Sequence, residues 1–235
     1  MSRMSVSHVL ARANADMVTA DLDVTGALAS LLAGTLEALP ADAAAVLVDV
    51  DGHLEVLAAT SHRAEELEGY QAQVDQGPCL DAIRSGRVDE ACGRELLVGR
   101  WPVTGPTIVR AGFSAVAAVP LQWQGATFGA LNVFRNEPVG FGDDLRDCRA
   151  LGDALTLVLA ARDLGPDHVI EGLRVALRDR AVVEQAKGVL AETRSLDMAD
   201  AYDALLALAR GRSEPLGVSA RRLMDEARSG GLDRE

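Results

Sequence analysis

The sequence predicts an α+β domain followed by an all-helical one. Three observations carry this. Two pairs of short apolar runs are each joined by turn residues. Segments with helical spacing lie before, between and after those pairs. Beyond Gly165-Pro166 the strand signals stop and only helical periodicity continues.

Taken in order, residues 1–24 read as a short polar lead that suits a helix. Leu28, Leu31, Leu32, Leu36 and Leu39 recur at helical spacing, so residues 25–39 form a helix that Pro40 ends. Residues 43–50 and 54–60 form a hairpin closed by Asp51-Gly52, a pair that tolerates the left-handed angles of a tight turn. RAEELEGYQAQV is helical. Gly77-Pro78 breaks the chain, and Cys79 to Ser85 forms a short helix closed by Gly86. Residues 93–112, rich in Gly and Pro, read as a loop. A second hairpin joins residues 114–122 to 126–134 through WQGA. Residues 143–163 form a long helix with Leu145, Cys148, Leu151, Leu155, Val158 and Leu159 on one side.

After Gly165-Pro166 come three helices: residues 167–193, a second begun by Asp197 as N-cap, and residues 215–228. Met198, Ala201, Tyr202, Leu205 and Leu208 make the apolar stripe of the second, and Leu216, Leu223 and Ala227 face inward on the third. The organisation expected is a lead (1–24), an α+β domain (25–164) whose last helix (143–163) connects onward, a helical unit (167–228) and a tail (229–235). Alternating βαβ units and a Gly-rich phosphate loop are absent from the sequence, which excludes a doubly wound nucleotide fold.

Composition narrows the chemistry. Hydrophobic residues make up 49% of the 235, but aromatics only 3%, so the core is built from Ala, Val and Leu. The net charge is −12. Residues 1–166 carry 12 basic and 22 acidic side chains, net −10, whereas residues 167–228 carry 10 and 11, net −1. Phosphate binding needs Lys and Arg, so only the second part suits a nucleic acid. Three widely spaced cysteines imply neither a disulfide framework nor zinc. With no signal-peptide run and no membrane-length apolar stretch, the expected compartment is the cytoplasm.

LRVALRDRAVVEQAKGVLAE, residues 173–192, closely resembles the first helix of ANTAR domains, through Arg180-Ala181 and Glu184-Gln185-Ala186-Lys187-Gly188-Val189-Leu190. Asp200-Ala201-Tyr202, Leu205-Leu206, Ala209-Arg210, Leu216 and Ala220 extend the likeness over about residues 168–226. Ser219 departs from it, standing where the family usually has a large apolar residue. Gly77-Pro78-Cys79-Leu80-Asp81-Ala82, with PLQWQGATFGALNVF and the order of elements, resembles a GAF domain of the actinobacterial GAF-ANTAR type. The resemblance implies an antitermination regulator. Its three-helix unit would bind paired RNA hairpins in leader transcripts. Its GAF part would sense a signal or dimerise, with an unidentified small molecule as the ligand to expect.

Five residues are candidates for RNA contact. Lys187 is the only lysine in the chain, and a compact ammonium beside Gly188 suits a phosphate; it equally suits an exposed helix charge paired with Glu184 or Glu192. Arg180 lies seven residues earlier on the same stripe, while Arg174 and Arg178 lie elsewhere. Gly188 in mid-helix costs about 1 kcal/mol against Ala, which close helix packing would explain as well as RNA contact. Arg210 could extend the surface. Tyr202 could stack on an unpaired base, although a core position is commoner. Ala181 and Ala186 read as packing residues. Cys79, at a helix start, is the one candidate for ligand or redox sensing, against burial as a small hydrophobe. No catalytic constellation and no metal spacing stands out, so an enzyme is not expected. A homodimer is expected through the apolar face of helix 143–163. A DNA-binding helix-turn-helix and a dimerisation adaptor without nucleic-acid binding are the alternatives.

Overall fold

The computed structural model describes residues 4–18, 23–160, 166–212 and 214–228, the side chains of 166–171, 175 and 199 apart. The expected boundary at Gly165, parts of the lead and the tail therefore lie outside the described residues. The first half is a five-stranded antiparallel sheet between two helical layers. Its elements run α1 (Val6–Met17), α2 (Val24–Ala38), β1 (Ala43–Val50), β2 (His53–Ala59), α3 (His62–Val74), α4 (Pro78–Ser85), β3 (Asp89–Cys92), α5 (Arg94–Arg100), α6 (Gly105–Arg110), β4 (Ala115–Trp123), β5 (Ala126–Arg135) and α7 (Asp144–Ala160). The sheet order is β2-β1-β5-β4-β3.

Both faces of the sheet are covered, which is why the strands read as nearly unbroken apolar runs. Along β1, Ala44, Val46 and Val48 join the layer of α1, α2 and α7, while Ala43, Ala45 and Leu47 face α3 to α6. Positive φ at Asp51 and Gly52, and again at Gln124 and Gly125, closes the two hairpins as tight turns matched to strand twist. β1 also pairs with β5, and there Gly129 has no room for a side chain: a Cβ would sit 2.6 Å from the Leu47 carbonyl oxygen.

Two regions differ from the sequence reading. Residues 93–112 hold α5 and α6. These are helices too short to show a period, fixed by buried Leu97, Trp101 and Ile108, with the Trp101 indole donating to Asp81 at 2.8 Å. The face of α7 expected at a dimer interface is inside the core. Leu151, Leu155, Val158 and Leu159 are all buried among α2 and the sheet, and the outward residues are Arg146, Arg149, Asp153 and Leu157. Aliphatic spacing alone does not distinguish a face that meets a sheet from one that meets a second copy. α7 is one layer of the first domain.

The second half is α8 (Pro166–Arg194), α9 (Met198–Arg212) and α10 (Leu216–Arg228). At 29 residues α8 is about 44 Å long, and it serves two cores. Leu173 and Ala176 join the α1–α2–α7 layer, whereas Val183, Ala186 and Leu190 pack with Ala201, Leu205, Leu216, Ala220 and Leu223. Gly172 permits the crossing, since a Cβ there would lie 2.4 Å from the Leu159 carbonyl oxygen. Ser219 is buried and its hydroxyl donates to Glu214 at 3.3 Å, so the departure noted in α10 is satisfied locally.

Candidate nucleic-acid interface

Arg180, Glu184 and Lys187 recur at spacings of four and three, so they share one stripe of α8. That stripe faces α3. The Ser61 hydroxyl accepts from the Ala64 amide and caps α3, which places Glu65 in its first turn, where the helix dipole favours a negative charge. Glu65 reaches back across the gap. Its Oε1 accepts from Arg180 at 2.5 Å and its Oε2 from the Lys187 ammonium at 3.3 Å. Lys187 also donates to both oxygens of Glu184, at 2.8 and 3.0 Å, and its Nζ lies 5.3 Å from the centre of the Tyr202 ring on α9.

Lys187 is only 3% exposed. A buried ammonium is stable only when paired, and here two carboxylates and a ring face do the pairing. Burial raises the Glu65 carboxyl, but the charges of Lys187 and Arg180 outweigh it and hold the group below its ordinary range. The Tyr202 hydroxyl is pushed up to about 12, first by burial and then by the negative charges of Glu184 and Glu65.

Three of the five residues singled out from the sequence are therefore brought together: Arg180, Lys187 and Tyr202. Gly188 is not among them. It is exposed and nothing lies within 4 Å of where its Cβ would be, so close helix packing does not account for it. Ala181 is exposed on the same outward side as Gly188 and Gln185, contrary to a packing role, whereas Ala186 is fully buried as expected. Arg210 is exposed two turns beyond Tyr202 on α9. It lines a separate crevice of about 550 Å³ between α2 and α9–α10, with Arg12, Glu37 and Glu214.

Other polar contacts join the two halves. The Thr25 hydroxyl donates to Asp179 at 3.4 Å, Arg174 pairs with Asp51 at 3.0 Å, and the Asp23 carboxyl lies beside the Leu216 amide of α10. Glu65 could not be found from sequence, because nothing local marks which helix faces α8.

One turn along α3 the surroundings change. Glu68 and Gln71 are fully buried beneath the sheet. The Glu68 carboxyl accepts from Gln71 at 2.9 Å and from Asn132 of β5 at 2.5 Å, and the Gln71 carbonyl accepts the Cys79 amide at 3.4 Å. Burial pushes the Glu68 carboxyl up to about 7. The sequence did carry a signal here: a carboxylate at the spacing of Ala64, Leu67 and Gln71, on the apolar side of α3. Cys79 is sealed, and burial followed by the nearby Glu68 charge raises its thiol well above the ordinary range, the reverse of what a sensing thiolate needs. Among the described residues no group of three or more His, Cys, Asp or Glu side chains is placed to hold a metal ion, and no helix is long and apolar enough to cross a membrane.

A family model described as the GAF domain matches residues 23–162, more than half of the chain. The chain belongs to the GAF domain family. A second model, the ANTAR domain, matches residues 171–224, so the GAF domain is followed by an ANTAR domain, as the QAKG segment and the GPCLDA segment implied. No curated protein matches the chain. Among solved structures, fRMsr of Staphylococcus aureus in complex with substrate is 13% identical, covering 68% of this chain and 100% of that one with a TM-score of 0.51. The GAF domain from a phosphoenolpyruvate-protein phosphotransferase of Coxiella burnetii is 19% identical, covering 67% and 94% with a TM-score of 0.49. A type II free methionine-R-sulfoxide reductase from Thermoplasma acidophilum is 14% identical, covering 60% and 96% with a TM-score of 0.48. At such identities likeness reports fold, and the GAF domain here is the five-stranded sheet with its two helical layers. A GAF domain joined to an ANTAR domain is a regulatory combination, and it fits a regulator of the antitermination type.

Proposed function

We propose that the protein is a signal-responsive RNA-binding antitermination regulator of the cytoplasm, in which the GAF domain controls binding of the ANTAR domain to leader-RNA hairpins. The sensor is taken as residues 25–164 and the output unit as 167–228. The ANTAR match over residues 171–224, with its QAKG core, carries this reading. Arg180, Lys187 and Tyr202 form the central contact set, offering two cations and a ring for stacking. Gly188 and Arg210 extend it, the first by letting RNA approach the α8 backbone where no side chain stands in the way.

Catalysis is not part of the proposal. Two of the structural neighbours are named as reductases or substrate complexes, but Cys79 is a buried thiol held protonated, and that favours a regulatory role for this GAF domain. A dimer through Leu151, Leu155, Val158 and Leu159 is likewise left out, because those side chains are committed to the core.

The test is to sequence the RNA that co-purifies with the full chain and measure its binding against duplex DNA of equal length. Recovery of transcripts rich in paired hairpins, with preference over the duplex, is the expected result. Equal or better binding of duplex DNA would favour the helix-turn-helix alternative, and absence of any nucleic-acid affinity would favour an adaptor.

A further inference from the structure

Two of the residues proposed to meet RNA, Lys187 and Arg180, are engaged by the GAF domain in this conformation. Lys187 is buried against the GAF domain, and Arg180 spends its guanidinium on the same Glu65 carboxylate. A carboxylate receiving an arginine and a lysine at 2.5 and 3.3 Å makes the same charge-assisted hydrogen bonds that a phosphate would make. We propose that α3 of the GAF domain is a built-in competitor of RNA: Glu65 occupies the cationic site of the ANTAR domain in cis, so that RNA binds only when α3 is displaced.

This inference rests on the reading of Arg180 and Lys187 as RNA contacts, but the geometry adds what that reading does not contain. The contact is polar and reversible in kind. Besides Glu65 it includes Thr25 to Asp179, Arg174 to Asp51 and the Asp23 carboxyl beside the Leu216 amide, around an apolar patch that includes Ala29. Interfaces of this composition between domains of one chain commonly open. The N-terminal part of α8 is different, since Leu173 and Ala176 are set in the GAF core. Opening therefore frees the Arg180–Leu190 stretch and its bundle while the base of α8 stays anchored.

The position of Glu65 also says where control would enter. Glu65 sits one turn from Glu68 and nearly two from Gln71, which are tied to Asn132 in the middle of the sheet and to the start of α4. A change inside the GAF domain that alters these bonds shifts α3, and the clamp on Lys187 and Arg180 shifts with it. One helix thus carries an inward-facing polar cluster and an outward-facing clamp. A closed state populated to about nine parts in ten would weaken apparent RNA affinity about tenfold, since only the open fraction binds.

The experiment uses the full chain with Glu65→Gln, which keeps the shape and removes the charge, and Glu65→Ala as a second variant. The probe is an end-labelled RNA pool of two short stem-loops with randomised loops, at fixed low salt. Hydrogen exchange without RNA is the independent readout. Both variants are expected to retain the pool about tenfold more tightly than the parent, with faster exchange over residues 180–190 and unchanged exchange in β1 and β5. Adding Lys187→Ala to Glu65→Gln should return retention to the parent level or below. Parent-like retention by both Glu65 variants, with Lys187→Ala still weakening it, overturns the competitor while the RNA reading stands. Faster exchange with no retention by any variant overturns the RNA reading on which the competitor depends.

Discussion

Glu65 and Glu68 stand one turn apart on α3, yet one faces the ANTAR domain and the other the sheet of the GAF domain. At the interface, Lys187 and Arg180 favour the ionised carboxylate of Glu65. In the core, amide donors do not offset desolvation, and Glu68 favours its proton. Their linkage to pH is therefore opposite. Glu65 has a lowered value, so its contribution is present above the unfolded value of 4.5 and is lost as pH falls through its lower folded value. Glu68 has a raised value, so its contribution is full below 4.5 and is lost as pH rises through about 7. The two regions are built for different work. The core is held by apolar area, which salt hardly touches, whereas the clamp is held by charge, which salt and pH adjust.

In the core the largest effect is expected from Leu155→Asp. The residue is 1% exposed beneath α2, and a carboxylate placed there has no partner. A loss on the order of 4 kcal/mol or more is expected, enough to unfold the GAF domain in a thermal melt. A folded mutant that had merely become monomeric would restore the dimer face that the fold has hidden.

Glu68→Gln removes the titrating group of the core. The variant should be more stable than the parent at pH 8.5 and should lose that advantage by pH 5. The change between the two is on the order of 3 kcal/mol, from a carboxyl raised from 4.5 to about 7. Denaturant titrations at the two pH values measure it, and a difference that stays constant with pH would mean that Glu68 is not the titrating group.

Gly188→Ala probes the exposed side of α8. A methyl meets nothing within 4 Å and Ala is the better helix former, so a gain of about 1 kcal/mol is expected in the melt of the helical unit. A loss of stability would show that α8 packs against something at Gly188. The smallest effect belongs to Asp51→Asn. Asn keeps the left-handed turn, and the Arg174 pair it removes is exposed on both sides, so stability should move by only a few tenths of a kcal/mol. Exchange over residues 180–190 as fast as in Glu65→Gln would mean that the clamp is spread over all the ion pairs and does not centre on Glu65.

Much of the fold was legible in the sequence because its elements carry their own signals. Asp51-Gly52 and the WQGA turn each sit between apolar runs, Pro40 stops α2, and the ANTAR helices show a clear period. α5 and α6 were not legible, since helices of seven and six residues are held by what Leu97, Trp101 and Ile108 touch and not by periodicity. Of the candidate site, Arg180 and Lys187 were visible as one stripe, and Tyr202 as part of the next helix. Their carboxylate partner was not, because Glu65 lies 122 residues before Lys187 and only the fold brings them together. Aliphatic spacing likewise marked a buried face on α7 without saying what buries it.

The lone lysine has a practical consequence. Apart from the chain terminus, the ε-amine of Lys187 is the only primary amine in the protein, and it lies almost wholly inside the clamp. An amine-selective acylating reagent thus has a single side-chain target, whose rate of labelling follows the fraction of molecules that are open. Mass spectrometry of one peptide then becomes a gauge of the regulatory state, readable in a mixture, and any effector can be ranked by how far it speeds or slows that one reaction.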